Sequence, residues 1–78
     1  MKIITASPGI KNVDFMNAYL MIIHLDNERT FIVPLDKFPS IKNLDKEDKE
    51  NFEVIDGSNL SFLALDEIFT LKELIGIQ

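Results

Sequence analysis

The chain has 78 residues, no cysteine, and eight Lys and Arg against thirteen Asp and Glu, for a net charge of −5. This length bounds it to one domain, residues 1–78, whose core is marginal: only roughly 60–65% of the unfolded surface can be buried, with no disulfide to reinforce it and no thiolate chemistry. The acidic balance and the lack of a basic cluster speak against nucleic acid, whose phosphates draw basic patches, and the longest apolar run, Ala18 to Ile23, is too short to span a bilayer.

Met1-Lys2-Ile3-Ile4 lacks the long apolar stretch and cleavage site of a secretory signal, so the cytoplasm is the expected compartment. Lys2 to Ala6 reads as a first strand, β-branched and apolar, and Ser7-Pro8-Gly9 as a turn. A second strand begins at Val13 to Phe15, is interrupted near Met16-Asn17, and is strongest over Ala18 to Leu25. Asp26 to Arg29 is a turn and Thr30 to Leu35 a third strand, with Phe31, Val33 and Leu35 on one face by the two-residue period. Pro34 cannot donate a ladder hydrogen bond and belongs at an edge or a strand end. After Pro39 a short helical turn to Asn43 points Ile41 and Leu44 inward. Asp45 is a good N-cap for an exposed helix from Lys46 to about Asn51. Phe52 to Ile55 and Leu60 to Leu63 flank the turn Asp56-Gly57-Ser58-Asn59, as one hairpin or one bulged strand. Thr70 and Glu73 have capping-box spacing, and Gly76 fits a left-handed stop, so a terminal helix presents Leu71, Leu74 and Ile75. The chain ends directly after that stop, the pattern of a complete small domain. The expected class is α+β: a small antiparallel sheet built on a central hairpin, with short helices packed on one face. The expected core is Phe31, Val33, Leu35, Phe38, Ile41, Phe52, Phe62, Leu65, Leu71 and Leu74.

Leu25, Asn27, Arg29, Thr30, Val33, Pro34 and Leu35 open a longer pattern. It continues with Phe38-Pro39, Gly57, Leu60, Phe62, Leu65-Asp66-Glu67, Leu74 and Gly76. In order and spacing it resembles the bacterial domain-of-unknown-function family 2442 (DUF2442), which shows L-x-D-G-R-T-x-x-V-P-L, an aromatic–proline pair, a polar helix, a Gly-containing turn, an I-H-W-like strand, L-D-E-D-I and a closing L-L-x-G. The resemblance covers about the last two thirds of the chain. It implies a setting: such domains are often encoded beside another small protein, in arrangements resembling toxin–antitoxin pairs. Three positions depart from the pattern. Glu28 stands where the family tends to have Gly, and because Glu tolerates positive φ poorly a longer or bulged loop is expected. Ser61 replaces a His, and Ile68 replaces the second Asp of D-E-D.

Few residues could carry chemistry. Asp66 and Glu67 could bind a cation or act as acid and base, but adjacent strand residues point to opposite faces, and calcium needs six to eight oxygens. The plainer expectation is a polar turn whose carboxylate caps backbone N–H groups. His24, the only histidine, shares a face with Leu20 and Ile22; it lacks the partners of a nucleophilic triad or a metal site and reads as a half-exposed strand-end residue. Arg29 could bind an anion; the simpler expectation is a pair across the hairpin with Asp26 or Glu28, worth ~0–1 kcal/mol. The run Asp45 to Glu50 reads as a solvated helix face. Gly9, Gly57 and Gly76 are too scattered for a phosphate loop. No catalytic residue, metal or cofactor is therefore expected.

Ala18 to Ile23 is apolar on both faces, which suggests cover on both sides. Short helices can roof one face; Leu20 and Ile22, or Met21 and Ile23, are then left to loops or to a protein contact. Two functions follow. The first is a non-catalytic protein-interaction domain binding through Leu20, Ile22 and His24, with a second copy in a homodimer first and a neighbouring gene product, antitoxin-like, second. An acidic chain suits a basic partner. The alternative is a small-molecule- or metal-dependent enzyme using Asp66, Glu67 and His24.

Overall fold

The computed structural model describes residues 9–76; the strand expected over Lys2 to Ala6 lies outside them. Two runs of three strands are separated by short helices and closed by one: β1 (Ile10–Phe15), β2 (Leu20–Leu25), β3 (Thr30–Pro34), a 3₁₀ turn (Leu35–Lys37), α1 (Pro39–Lys42), α2 (Lys46–Glu50), β4 (Phe52–Ile55), β5 (Asn59–Phe62), β6 (Ile68–Thr70) and α3 (Leu71–Ile75). The class is mixed α+β. Where one sheet was expected there are two, each antiparallel and three-stranded, in the orders β1-β2-β3 and β4-β5-β6.

The segment read as one interrupted strand is two. Asn17 Oδ1 accepts the backbone N–H groups of Tyr19 and Leu20 at 2.8 and 3.0 Å, and the Met16 N–H donates to the Leu20 carbonyl at 3.0 Å. That asparagine turn reverses the chain, so β1 pairs with β2 through Val13 opposite Ile23 and Asp14 opposite Ile22. In β2 the alternation is strict: Met21, Ile23 and Leu25 are buried, while Leu20, Ile22 and His24 are half-buried on the other face.

Strands β2 and β3 meet through Met21 opposite Val33 and Ile23 opposite Phe31. Their turn is a bulged three-residue loop. The Glu28 N–H donates to the Leu25 carbonyl at 3.2 Å and the Leu25 N–H to the Arg29 carbonyl at 2.8 Å, with Glu28 left-handed at φ 74°. The second sheet starts with a hairpin between β4 and β5, turned by Asp56 and Gly57 at φ 55° and 79°. Strand β6, not expected from the sequence, is only three residues long and pairs Phe69 with Leu60.

Both helix caps form. The Asp45 carboxylate accepts the Asp48 N–H at 2.9 Å. Thr70 and Glu73 make the reciprocal capping box, and Gly76 ends α3 at φ 81°. Helix α2, read as solvated throughout, instead buries Lys49.

The core draws on both sheets and on α1 and α3. Phe62 is its centre, fully buried, with the rings of Phe15, Phe52 and Phe69 at 6.3–6.4 Å. Of the expected core, Val33, Leu35, Ile41, Phe62, Leu71 and Leu74 are buried, whereas Phe31, Phe38, Phe52 and Leu65 are half-buried at its margin. Ile10, Val13, Met21, Ile23, Leu25, Leu60 and Phe69 complete it; β1 and β6 supply Ile10, Val13 and Phe69, and the inward faces of β2 and β5 supply the other four. Gly9 fastens the two hairpin turns together. Its N–H donates to Asp26 Oδ1 at 3.1 Å, its carbonyl accepts the Asp26 N–H at 3.0 Å, and the next N–H, from Ile10, donates to the Gly57 carbonyl at 2.6 Å. A Cβ at Gly9 would stand 2.9 Å from that carbonyl oxygen, so the approach requires glycine.

Candidate functional site

The face of the first sheet turned away from the core carries two rows across its strands: Asp14–Ile22–Ile32 and Asn12–His24–Thr30. Strand alternation puts them there, since Val13, Met21, Ile23 and Val33 take the inward positions. In the second row His24 Nε2 lies 2.8 Å from Asp14 Oδ2. With Nε2–H donating to the carboxylate, Nδ1 is left to accept from the Thr30 hydroxyl, 3.4 Å away. His24 thus ties three strands together, half-exposed as expected. In the first row Ile32 is 56% exposed beside half-buried Ile22; Leu20 and, across the turn from it, exposed Met16 extend the apolar strip. The sequence left open which residues of β2 would face outward; they are Leu20 and Ile22.

Asp66 and Glu67 stand exposed on the loop between β5 and β6, in the second sheet, whereas His24 is in the first. Among the described residues no three His, Asp or Glu side chains converge as metal ligands would. The capping role considered for the pair falls to Thr70 and Glu73 instead. The pairing expected of Arg29 is also corrected: among the described residues its guanidinium has no carboxylate within 4 Å, and the salt bridges are His24–Asp14 and Lys42–Asp36. The Asp26 carboxylate already accepts the Gly9 N–H. Arg29 lines a cleft of about 650 Å³ with Phe31, Leu71, Lys72 and Ile75.

A second cleft, of about 630 Å³, lies between β1 and the segment from α1 to β4. Its floor is apolar: Val13, Phe15, Leu44 and Phe52. Lys42, Lys46 and Lys49 reach it from the helices. Lys42 Nζ donates to Asp36 Oδ1 at 2.7 Å and sits 5.2 Å from the Tyr19 ring centre. Their hydrogen bond and opposite charges hold the Asp36 carboxyl below its usual range and the Lys42 ammonium above its own. Lys49 is only 8% exposed, with Nζ 5.6 Å above the Phe15 ring. Sequence reading passed over this cleft because Lys49 sits in a mixed-charge run. One signal was available: Lys46–Glu50 contains no apolar residue, so a helix laid against a sheet there has only a lysine stem to bury.

No helix among the described residues is long and apolar enough to cross a membrane. A family model described as "Protein of unknown function (DUF2442)" matches residues 10–77. No curated protein and no solved structure matches the chain.

Proposed function

We propose that this chain, which belongs to the DUF2442 family, is a non-catalytic protein-interaction domain that binds through the outward face of its first sheet. The observation that carries the reading is Ile32, more than half exposed beside Ile22 and Leu20 on one face of the sheet. A contiguous apolar face of this kind marks a contact surface more than scattered apolar residues do. Full burial of such side chains is worth about 1.5–3 kcal/mol each.

The first occupant is a second copy of the chain. A two-fold axis over Ile22 and Ile32 lays apolar centre on apolar centre. The Asp14 carboxylate beside them already accepts a hydrogen bond from His24, so self-association leaves that carboxylate partnered at the contact. The second occupant is the product of a neighbouring gene, in an antitoxin-like role, and a charge of −5 suits a basic partner. The enzyme alternative draws no support from Asp66 and Glu67 lying on the β5–β6 loop while His24 is on β2 of the other sheet.

Sedimentation velocity over a wide concentration range tests this. The expected result is a monomer–dimer equilibrium that Ile32→Lys shifts to monomer, with the thermal midpoint unchanged when both proteins are measured at concentrations where they are monomeric. A strict monomer removes the second copy and leaves the neighbouring gene product, to be sought by co-expression and co-purification; failure of both removes the reading.

A further inference from the structure

We infer that the lysine-walled cleft between β1 and the α1–β4 segment is a binding site for a small organic carboxylate, one negative charge on an apolar body. The inference does not rest on the sheet-face reading; the two surfaces share only the edge residue Asp14.

It begins with Lys49. Lysines are almost never this buried unless paired, because a desolvated ammonium is unfavourable without a counter-charge. The position of the stem is explained: it covers the Phe15 ring, and the ammonium gains from the ring face. The charge is not. Among the described residues no carboxylate oxygen lies within 4 Å of Lys49 Nζ. The nitrogen keeps its solvent contact at the cleft, since no buried side-chain polar atom there is left without a partner.

The other charged groups of the lining set the charge of the ligand. Lys42 is engaged by Asp36 and Asp14 by His24. Of the three ammonium groups in the lining only Lys49 is buried and, among the described residues, without a carboxylate within 4 Å, one unpaired positive charge. A single carboxylate neutralises it. A multiply charged phosphate would meet Glu50 and the negative field of the whole chain. The floor of Val13, Phe15, Leu44 and Phe52 asks for an apolar body, and a cleft of about 630 Å³ is of small-molecule size.

The test is an amide NMR titration of the isotope-labelled full chain with phenylacetate, its neutral isostere phenylacetamide, and inorganic phosphate. Phenylacetate is expected to give saturable shifts at Phe15, Asn17, Lys42, Lys49 and Phe52. Phenylacetamide should bind about tenfold more weakly, the worth of one charge-assisted hydrogen bond, and phosphate more weakly still. Lys49→Met keeps the apolar stem; it should lower phenylacetate affinity about tenfold and leave phenylacetamide affinity unchanged. The inference is overturned if millimolar phenylacetate gives no saturable shift, if acid and amide bind equally, or if phosphate binds as tightly as the acid. Should Lys49→Met not fold, the acid–amide comparison on the unaltered chain still decides.

Discussion

Glu28 holds a left-handed conformation at the third loop position of the first hairpin, where an L side chain is disfavoured by about 1–2 kcal/mol. Glycine there loses more chain entropy on folding, so Glu28→Gly should stabilise by a net of about 0.5–1 kcal/mol. That is a rise of about 4 °C in the melting midpoint; a lower midpoint would show the turn is not strained. The bulge was legible because Glu at a glycine position excludes the tightest turn. That Arg29 has no carboxylate within 4 Å among the described residues was not, since nothing in the sequence says that Asp26 is taken by Gly9. Lys42 and Asp36 give the clearest dependence on pH. The carboxyl is depressed on folding, so its contribution holds above the unfolded carboxylate range and is lost as pH falls through the depressed value. The ammonium is raised, so its contribution holds below the unfolded lysine range and is lost as pH rises through the raised value. Denaturant melts should therefore show Asp36→Asn slightly less stable across the neutral plateau. The difference should vanish at both extremes and in high salt, because the pair is exposed.

At the level of elements, local chemistry with a mechanism was readable and partner-dependent structure was not. The Asp45 cap, the Thr70–Glu73 box and the Gly76 stop all follow from side chains within a few residues of the helix ends. Thr70→Ala should cost about 1 kcal/mol and speed hydrogen exchange at the Glu73 amide; unchanged exchange there would mean α3 is held by packing alone. Strand β6 has three residues, and its identity comes from pairing with β5, a partner several residues away. The split of β1 from β2 was half visible. The interruption at Met16-Asn17 was seen, but its reading as a break within one strand missed the asparagine side chain that closes the turn. The candidate face was legible to the same degree: an apolar surplus on β2 follows from composition, whereas its outward side depends on the register with β1 and β3.

Across the whole molecule, stability rests on one aromatic centre shared by two sheets. Phe62→Ala should cost about 3–5 kcal/mol, a large part of the total stability of so small a chain. The expected outcome is a chain largely unfolded at ambient temperature by circular dichroism, and a melt barely altered would displace Phe62 from that role. Phe62 was foreseen as core. Of the seven further buried side chains, Ile10 and Phe69 depend on strand segments that exist only as neighbours of others, whereas Val13, Met21, Ile23, Leu25 and Leu60 lie on segments legible as strand, with an inward side set by pairing register. Each sheet joins consecutive strands without a crossover, and that has a kinetic consequence. Either meander can zip up by closing short loops alone, a topology of low contact order and hence rapid formation. The later event is the meeting of the two halves around Phe62. Until it occurs each half presents a bare apolar side to its surroundings, which is the interval in which newly made chains are most exposed to aggregation.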